Sequence, residues 1–314
     1  MTFDNLAQQI NYAHYFDTEV WYRDVLKTPY DIVISNDFGI IFEYRMILGH
    51  KVGHSRGGIL FDRSKKTLEE YHNFVSYLKS ELSKLNYAFV GIDFVEGENE
   101  FNKIFERSKV RDHINGTAYI YPKEDWIKKF NSKKRSDLLS AQRKGVNIHL
   151  FSNIDKELSD EIDLERFYAL VLQTLQRHEN AYTLPTKETF GRMFKDVKFI
   201  LAVAQIDNEW ISYNLSIFNP MMNRLERVFA GSNEKGLKFR APSLIEVNMV
   251  EYLAQRNVEV YDLWGVKDPE DGVSIFKKSI ADEWKLFRPY GILKIQPIWA
   301  NLTLFALKIS KYFR

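Results

Sequence analysis

Between Val228 and Leu286 the sequence concentrates groups that could do chemistry. Tyr261-Asp262-Leu263-Trp264-Gly265-Val266 sets a carboxylate and an indole at the end of an apolar run and follows them with glycine. That order brings functional groups to the mouth of a sheet, a common place for a site. After the loop Lys267-Asp268-Pro269-Glu270-Asp271-Gly272 comes Val273-Ser274-Ile275-Phe276-Lys277-Lys278-Ser279, two ammoniums behind an aromatic ring. An ammonium is a compact charge on a flexible stem, suited to neutralising phosphate or a developing oxyanion. Upstream lie Phe229-Ala230-Gly231-Ser232-Asn233 and Arg240-Ala241-Pro242-Ser243. Singly, these residues have ordinary explanations: Asp262 and Trp264 can share a structural hydrogen bond, and lysines are mostly surface charge.

A second cluster is basic. Lys128, Lys129, Lys133, Lys134, Arg135 and Arg143 fall between Lys123 and Lys144, opposed only by Glu124, Asp125 and Asp137. Such a run is either a solvated helix face or a surface that follows a nucleic-acid backbone without reading sequence.

Other chemistries are excluded or disfavoured. The 314 residues contain no cysteine, which removes disulfides, thiolate metal sites and thiol nucleophiles together. No GxGxxG, Walker loop, GxSxG elbow or HExxH occurs. His50 and His54 are four apart, but Gly53 and the turn context argue against a helical metal pair, and neither a metal nor a cofactor is expected. A net charge of +2 gives no global field toward a polyanion, so any such role rests on local clusters. The N-terminal residues lack a basic and apolar leader pattern, and no apolar run approaches the ~20 residues of a spanning helix. A cytoplasmic protein is expected.

The elements that would position these residues follow from periodicity. Tyr30 to Ser35 and Ile40 to Met46 read as a hairpin around Asn36-Asp37-Phe38-Gly39. Leu68 to Leu85 has helical spacing and leads into a buried strand, Tyr87 to Phe94. In the second half, Leu164 to Gln176 is helical. Phe199 to Gln205, Glu209 to Phe218 and Leu225 to Ala230 form a meander, and Ser243 with Glu246 reads as a capping box on a helix through Ala254. Val258 to Leu263 is the next strand. Ser132 caps a basic helix that Gly145 closes, before the strand Val146 to Leu150. Two copies of a mixed α/β unit are expected, a tandem acyltransferase-like α+β architecture rather than a doubly wound parallel sheet.

Taken together, these segments resemble the FemABX family of peptidoglycan bridge aminoacyltransferases. The resemblance rests on Tyr261-Asp262-Leu263-Trp264-Gly265, on Val273 to Lys278, on Ala230-Gly231-Ser232-Asn233 with Ala241-Pro242-Ser243, on Ala141-Gln142-Arg143-Lys144-Gly145-Val146, and on Ser55-Arg56-Gly57-Gly58-Ile59 through Asp62. It covers most of the chain and is weak before about His50. It implies two GNAT-like domains, 1–127 with 290–314 packing back on it, and 128–289 carrying the transfer site. The long coiled-coil arm of the larger members is missing.

The resemblance also implies transfer of an amino acid from aminoacyl-tRNA to the peptide of a cell-wall precursor, lipid-linked or UDP-MurNAc-pentapeptide. Carried over residue by residue, Phe276, Lys277 and Asp262 match the transfer centre. Arg56, Asp62, Arg177, Tyr182, Phe229, Ser232 and Trp264 match substrate-binding positions, and Lys278, Lys134, Arg135 and Arg143 match the tRNA side. Gly58, Phe229 and Ser279 depart from the pattern, where proline, tyrosine and glycine are usual. Those departures motivate an alternative, a non-catalytic member that binds glycopeptide or RNA. A third reading is a CoA-dependent N-acyltransferase; Lys238-Phe239-Arg240-Ala241-Pro242 opposes it, because proline offers no amide to a pyrophosphate. The tail from Trp299 interleaves Leu302, Phe305, Leu307, Ile309, Tyr312 and Phe313 with Lys308, Lys311 and Arg314. It is expected to pack on the first domain, with peripheral contact at the inner membrane face as the competing role.

Overall fold

The structure, a computed structural model of the chain, describes residues 3, 5–6, 19, 21–55, 58–62, 65–92, 105–107, 114–154, 161–176, 185–220, 222–268, 270–286 and 291–312. The first elements are β1 (Tyr30–Ser35), β2 (Phe38–Ile47), β3 (His50–Ser55), α1 (Leu68–Lys84), β4 (Tyr87–Ile92), β5 (Glu106–Arg107) and β6 (Ile114–Ile120). Next come α2 (Ser132–Leu138), β7 (Asn147–Ser152), α3 (Leu164–Gln176), α4 (Lys187–Asp196), β8 (Phe199–Ile206), β9 (Glu209–Asn219) and β10 (Arg224–Ser232). The remainder are α5 (Glu234–Phe239), α6 (Ala241–Gln255), β11 (Val260–Asp262), β12 (Val266–Asp268), α7 (Gly272–Ile280), β13 (Glu283–Leu286), β14 (Gly291–Lys294) and α8 (Pro297–Tyr312). The fold is mixed α+β, as expected, and among the described residues the neighbours along each sheet order are antiparallel apart from β3–β4 and β10–β11. Among the described residues no helix is long and apolar enough to cross a membrane.

The chain divides into two compact units. One comprises Met1–Thr117, Gly265–Ser279 and Trp284–Arg314; the other comprises Ala118–Trp264 and Ile280–Glu283. In the first unit the sheet runs β1-β2-β3-β4-β14-β5. Helix α1 starts at a capping box, with the Thr67 hydroxyl accepting from the Glu70 amide while Glu70 accepts from the Thr67 amide. Its apolar stripe, Tyr71, Phe74, Val75, Leu78 and Leu82, buries against Phe38, Phe42, Tyr87 and Val90 of the sheet. A second core joins Val52, Ala88, Phe89 and Ile292 to Ala300 of α8.

In the second unit β7, β8, β9 and β10 form an antiparallel run, and β11 lies parallel beside β10. The β8–β9 turn, Asp207-Asn208, has both residues at positive φ, 49° and 61°, the backbone of a tight hairpin matched to strand twist. Helix α6 makes the crossover from β10 to β11 and packs on β8, β9 and β10.

Two local readings are corrected. Ser243 does not cap α6: the helix starts at Ala241 after Arg240, which sits at φ 60°, and Glu246 is inside the core. Likewise the basic stretch is not one helix from Ser132 to Gly145. Asn131 caps α2, accepting from the Lys134 amide at 2.9 Å, and α2 ends at Leu138. A separate turn, Gln142–Lys144, is closed by Gly145 at φ 83°.

Candidate functional site

In the second unit the site grows from an interruption in strand β10. Its ladder to β9 runs to Ser232, yet its ladder to β11 ends at the pair Glu226 and Asp262. Between Arg227 and Phe229 the β9 register slips by one residue, so Val228 is a bulge. A bulge bends its strand and re-aims neighbouring side chains. The stretch from Arg227 to Ser232 therefore continues past the end of β11.

Charged residues that are rare inside sheets hold this geometry. Arg224 donates to Asp262 and lies 3.5 Å from Glu226, all three buried, with its guanidinium 5.3 Å from the Tyr119 ring. Burial opposes the Arg224 charge, but Asp262, Glu226 and Tyr119 together outweigh it and raise its pKa. Burial, helped by Asp262, pushes the Tyr119 hydroxyl up to about 12. Below the bulge, Arg227 donates to Glu246 of α6 at 2.6 Å, the Tyr261 hydroxyl donates to Glu246 at 2.8 Å, and the Asn214 amide reaches both Glu246 (3.1 Å) and Tyr261 (2.6 Å). Ser216 completes the group on the Asn214 carbonyl at 2.8 Å. These are buried, mutually satisfied polar groups, which fix a unique packing at the residue preceding the bulge.

The expected site residues of this unit fall around that frame. Asp262 is fully buried at the strand end and accepts from both Arg224 and the Trp264 amide (2.8 Å). Trp264, at φ 48°, is half-buried. Phe229 sits edge-on to Phe190 at 5.3 Å, and the Ser232 hydroxyl bonds Ser212 at 2.7 Å. Several basic residues are engaged locally. Arg135 donates to the Phe130 carbonyl at 2.6 Å, and Arg143 donates to the Ser136 carbonyl and hydroxyl, each at 2.7 Å. Lys134 is half-buried. Arg177 and Tyr182 lie outside the described residues.

In the first unit, α7 carries the lysine pair. Asp271 caps it through the Ser274 amide and hydroxyl, both at 2.7 Å, and the Ser274 hydroxyl accepts from the Lys267 amide at 3.0 Å. Lys277 is only 6% exposed and donates to the Gly265 carbonyl at 3.0 Å, which aims its ammonium at the turn following Trp264 in the chain. Phe276 is half-buried one residue before it. Lys278 pairs with Glu270 at 2.6 Å and lies 3.6 Å from the Trp284 ring centroid, so a phosphate would compete with a carboxylate for it. Asp62 pairs with Lys65 at 2.8 Å. Arg56 lies outside the described residues. Among the described residues no cluster of histidine and carboxylate groups could hold a metal ion.

Sequence reasoning missed Arg224, Arg227, Asn214 and Tyr119. A signal existed: Glu226 and Arg227 place two charges inside the strand read from Leu225 to Ala230, with Arg224 just before it.

No family model matches the sequence, and no curated protein matches it. Solved structures do. FemX matches with a TM-score of 0.72 at 11% identity, over 96% of this chain and 97% of that one. The C-terminal domain of a putative lysylphosphatidylglycerol synthetase from Agrobacterium fabrum matches at 0.62 and 10%, over 97% and 95%. A tandem GNAT protein from the clavulanic acid biosynthesis pathway matches at 0.55 and 10%, over 93% and 95%. The chain therefore has a FemABX-like, tandem GNAT fold.

Proposed function

We propose that the protein is a tRNA-dependent aminoacyltransferase that adds an amino acid to the peptide of a peptidoglycan precursor. The observation that carries this reading is the likeness to FemX, which extends over both units and nearly all of either chain. The turn before α6 argues against a CoA donor. It is a single residue, Arg240; Pro242 has no N–H, and the Ser243 amide already donates to the Arg240 carbonyl at 3.2 Å. A pyrophosphate cradle needs several free amides at a helix start, and here two of the first three are unusable.

In the proposed reaction the precursor's amine attacks the ester carbonyl of aminoacyl-tRNA. A C–N bond forms, the ester C–O bond breaks, and the amine's proton ends on the departing ribose oxygen. Without cysteine there is no enzyme thioester, and the transfer proposed is direct from ester to amine. Lys277 supplies a buried ammonium to the tetrahedral oxyanion, where a fixed charge in a water-poor site is worth far more than in water. Phe276 and Asp262 serve the transfer step with Lys277, and Phe229, Ser232 and Trp264 bind substrate. Arg56, Asp62, Arg177 and Tyr182 contact the precursor; Lys278, Lys134, Arg135 and Arg143 face the tRNA.

The test is incubation with charged tRNAs and lipid-linked or nucleotide-linked muropeptide, read by mass. Addition of one aminoacyl residue is expected, and Lys277→Met should lower turnover about 100-fold or more with unchanged circular dichroism. No adduct with any amino acid despite muropeptide binding would favour the non-catalytic reading. Thermal stabilisation by acetyl-CoA would favour the CoA-dependent one.

A further inference from the structure

Helix α8 is apolar on two opposite faces. Ala300, Leu304 and Leu307 pack against the sheet of the first unit. On the other side Ile298, Leu302 and Phe305 are 75%, 47% and 63% exposed, with Trp299 beside them at 40%. Spaced four and three apart, they form one stripe, and the sequence repeats the spacing at Ile309 and Tyr312. A helix serving only its own core would be polar there.

The stripe continues onto a hairpin tip. The Trp299 and His50 rings are 4.4 Å apart, Gln296 donates to Asn86 at 3.3 Å, and Asn86 donates to the Gly49 carbonyl at 3.1 Å. The start of α8 is thereby tied to the β2–β3 turn, which exposes Met46 (58%) and Leu48 (57%). In that turn Leu48 and Gly49 both have positive φ, 51° and 79°. Asn-Gly is the usual occupant of such a turn, and a branched apolar residue there is strained. Leucine gains the turn nothing and adds apolar surface to the patch.

From Trp284 onward the sequence carries Lys285, Arg288, Lys294, Lys308, Lys311 and Arg314 and no aspartate or glutamate. A second copy would bring this basic stretch against itself, whereas an anionic bilayer complements it. An apolar stripe within a basic stretch is the chemistry of a helix lying in a lipid interface. We propose that α8 and the Leu48 turn dock on an anionic phospholipid surface. This proposal does not rest on the transfer reading, since it uses none of that site's residues.

The test is flotation of the full chain with vesicles of phosphatidylcholine, alone or mixed with phosphatidylglycerol. Binding to the mixed vesicles only, weakened by salt, is expected. Leu302→Gln combined with Phe305→Gln should reduce binding about tenfold or more, and Lys308→Gln roughly five-fold. Leu48→Asn should weaken binding while raising the thermal midpoint, which separates lost docking from lost folding. Failure to float with anionic vesicles would overturn the proposal, as would equal flotation with neutral ones. So would a dimer in light scattering that Phe305→Gln dissolves.

Discussion

Replacing Glu246 tests whether the buried frame beneath the bulge is held by charge. Glu246 is 2% exposed and accepts from Arg227 at 2.6 Å, Tyr261 at 2.8 Å and Asn214 at 3.1 Å. In Glu246→Gln the amide carbonyl can face Arg227, but the NH2 then meets the Tyr261 hydroxyl, which already accepts from Asn214. The variant loses one hydrogen bond, about 1 kcal/mol, and the countercharge of a buried guanidinium, which brings the total to about 3–5 kcal/mol. Arg227→Met should cost a similar amount. The pair Arg227→Met with Glu246→Gln removes both charges, and should cost less than the sum of the single changes because the neutral amide keeps an acceptor for Tyr261 and no charge is left buried alone. Urea unfolding followed by tryptophan fluorescence measures all three. Single variants each within about 1 kcal/mol of the parent, or a double variant equal to the sum of the singles, would refute the reasoning.

Two further outcomes follow from the second unit. A Cβ at Gly236 would lie 2.1 Å from the Ile211 carbonyl oxygen, a backbone atom that cannot swing away, so Gly236→Ala should destabilise by about 1–3 kcal/mol or abolish soluble yield; wild-type stability would show that α5 shifts freely. Tyr119 keeps its proton in the folded chain to about pH 12 against 10.0 for an ordinary tyrosine, through burial first and Asp262 second. The native state therefore holds more protons than the unfolded one in that window. The associated stability is fully present below pH 10 and falls at about 1.4 kcal/mol per unit toward pH 12. Comparison with Tyr119→Phe isolates it, and parallel pH profiles would contradict the assignment.

Much of the fold was legible because local pattern and final structure agree. Leu68 to Leu85 reads as a helix from its apolar spacing, and α1 occupies Leu68–Lys84. The meander over β8, β9 and β10 is visible in β-branched runs broken at Asp207-Asn208. Where reading failed, a distant partner had overridden a local signal. Ser243 and Glu246 have capping-box spacing, yet α6 is buried around most of its circumference, and the carboxylate is taken by Arg227, 19 residues away. The Arg224–Asp262 and Asn214–Tyr261 contacts span 38 and 47 residues, so no periodicity could reveal them. Strand β14 is four residues long and was not read at all, because its partner strand β4 lies in the first third of the chain. The Asp262–Trp264 pairing was legible, since its two members are two residues apart.

The sheet order β1-β2-β3-β4-β14-β5 sets a schedule for the nascent chain. Strand β4, buried along its whole length, is made early, yet one of its two neighbours in the sheet is β14. That neighbour leaves the ribosome roughly 200 residues later, about 10–40 s at ordinary elongation rates. For that interval Tyr87–Ile92 presents an open, apolar strand edge, the kind that pairs with other chains. The second unit, whose Ala118–Trp264 segment is continuous, can condense while the first still waits. The half that is begun first therefore cannot complete its sheet until nearly the whole chain has been made.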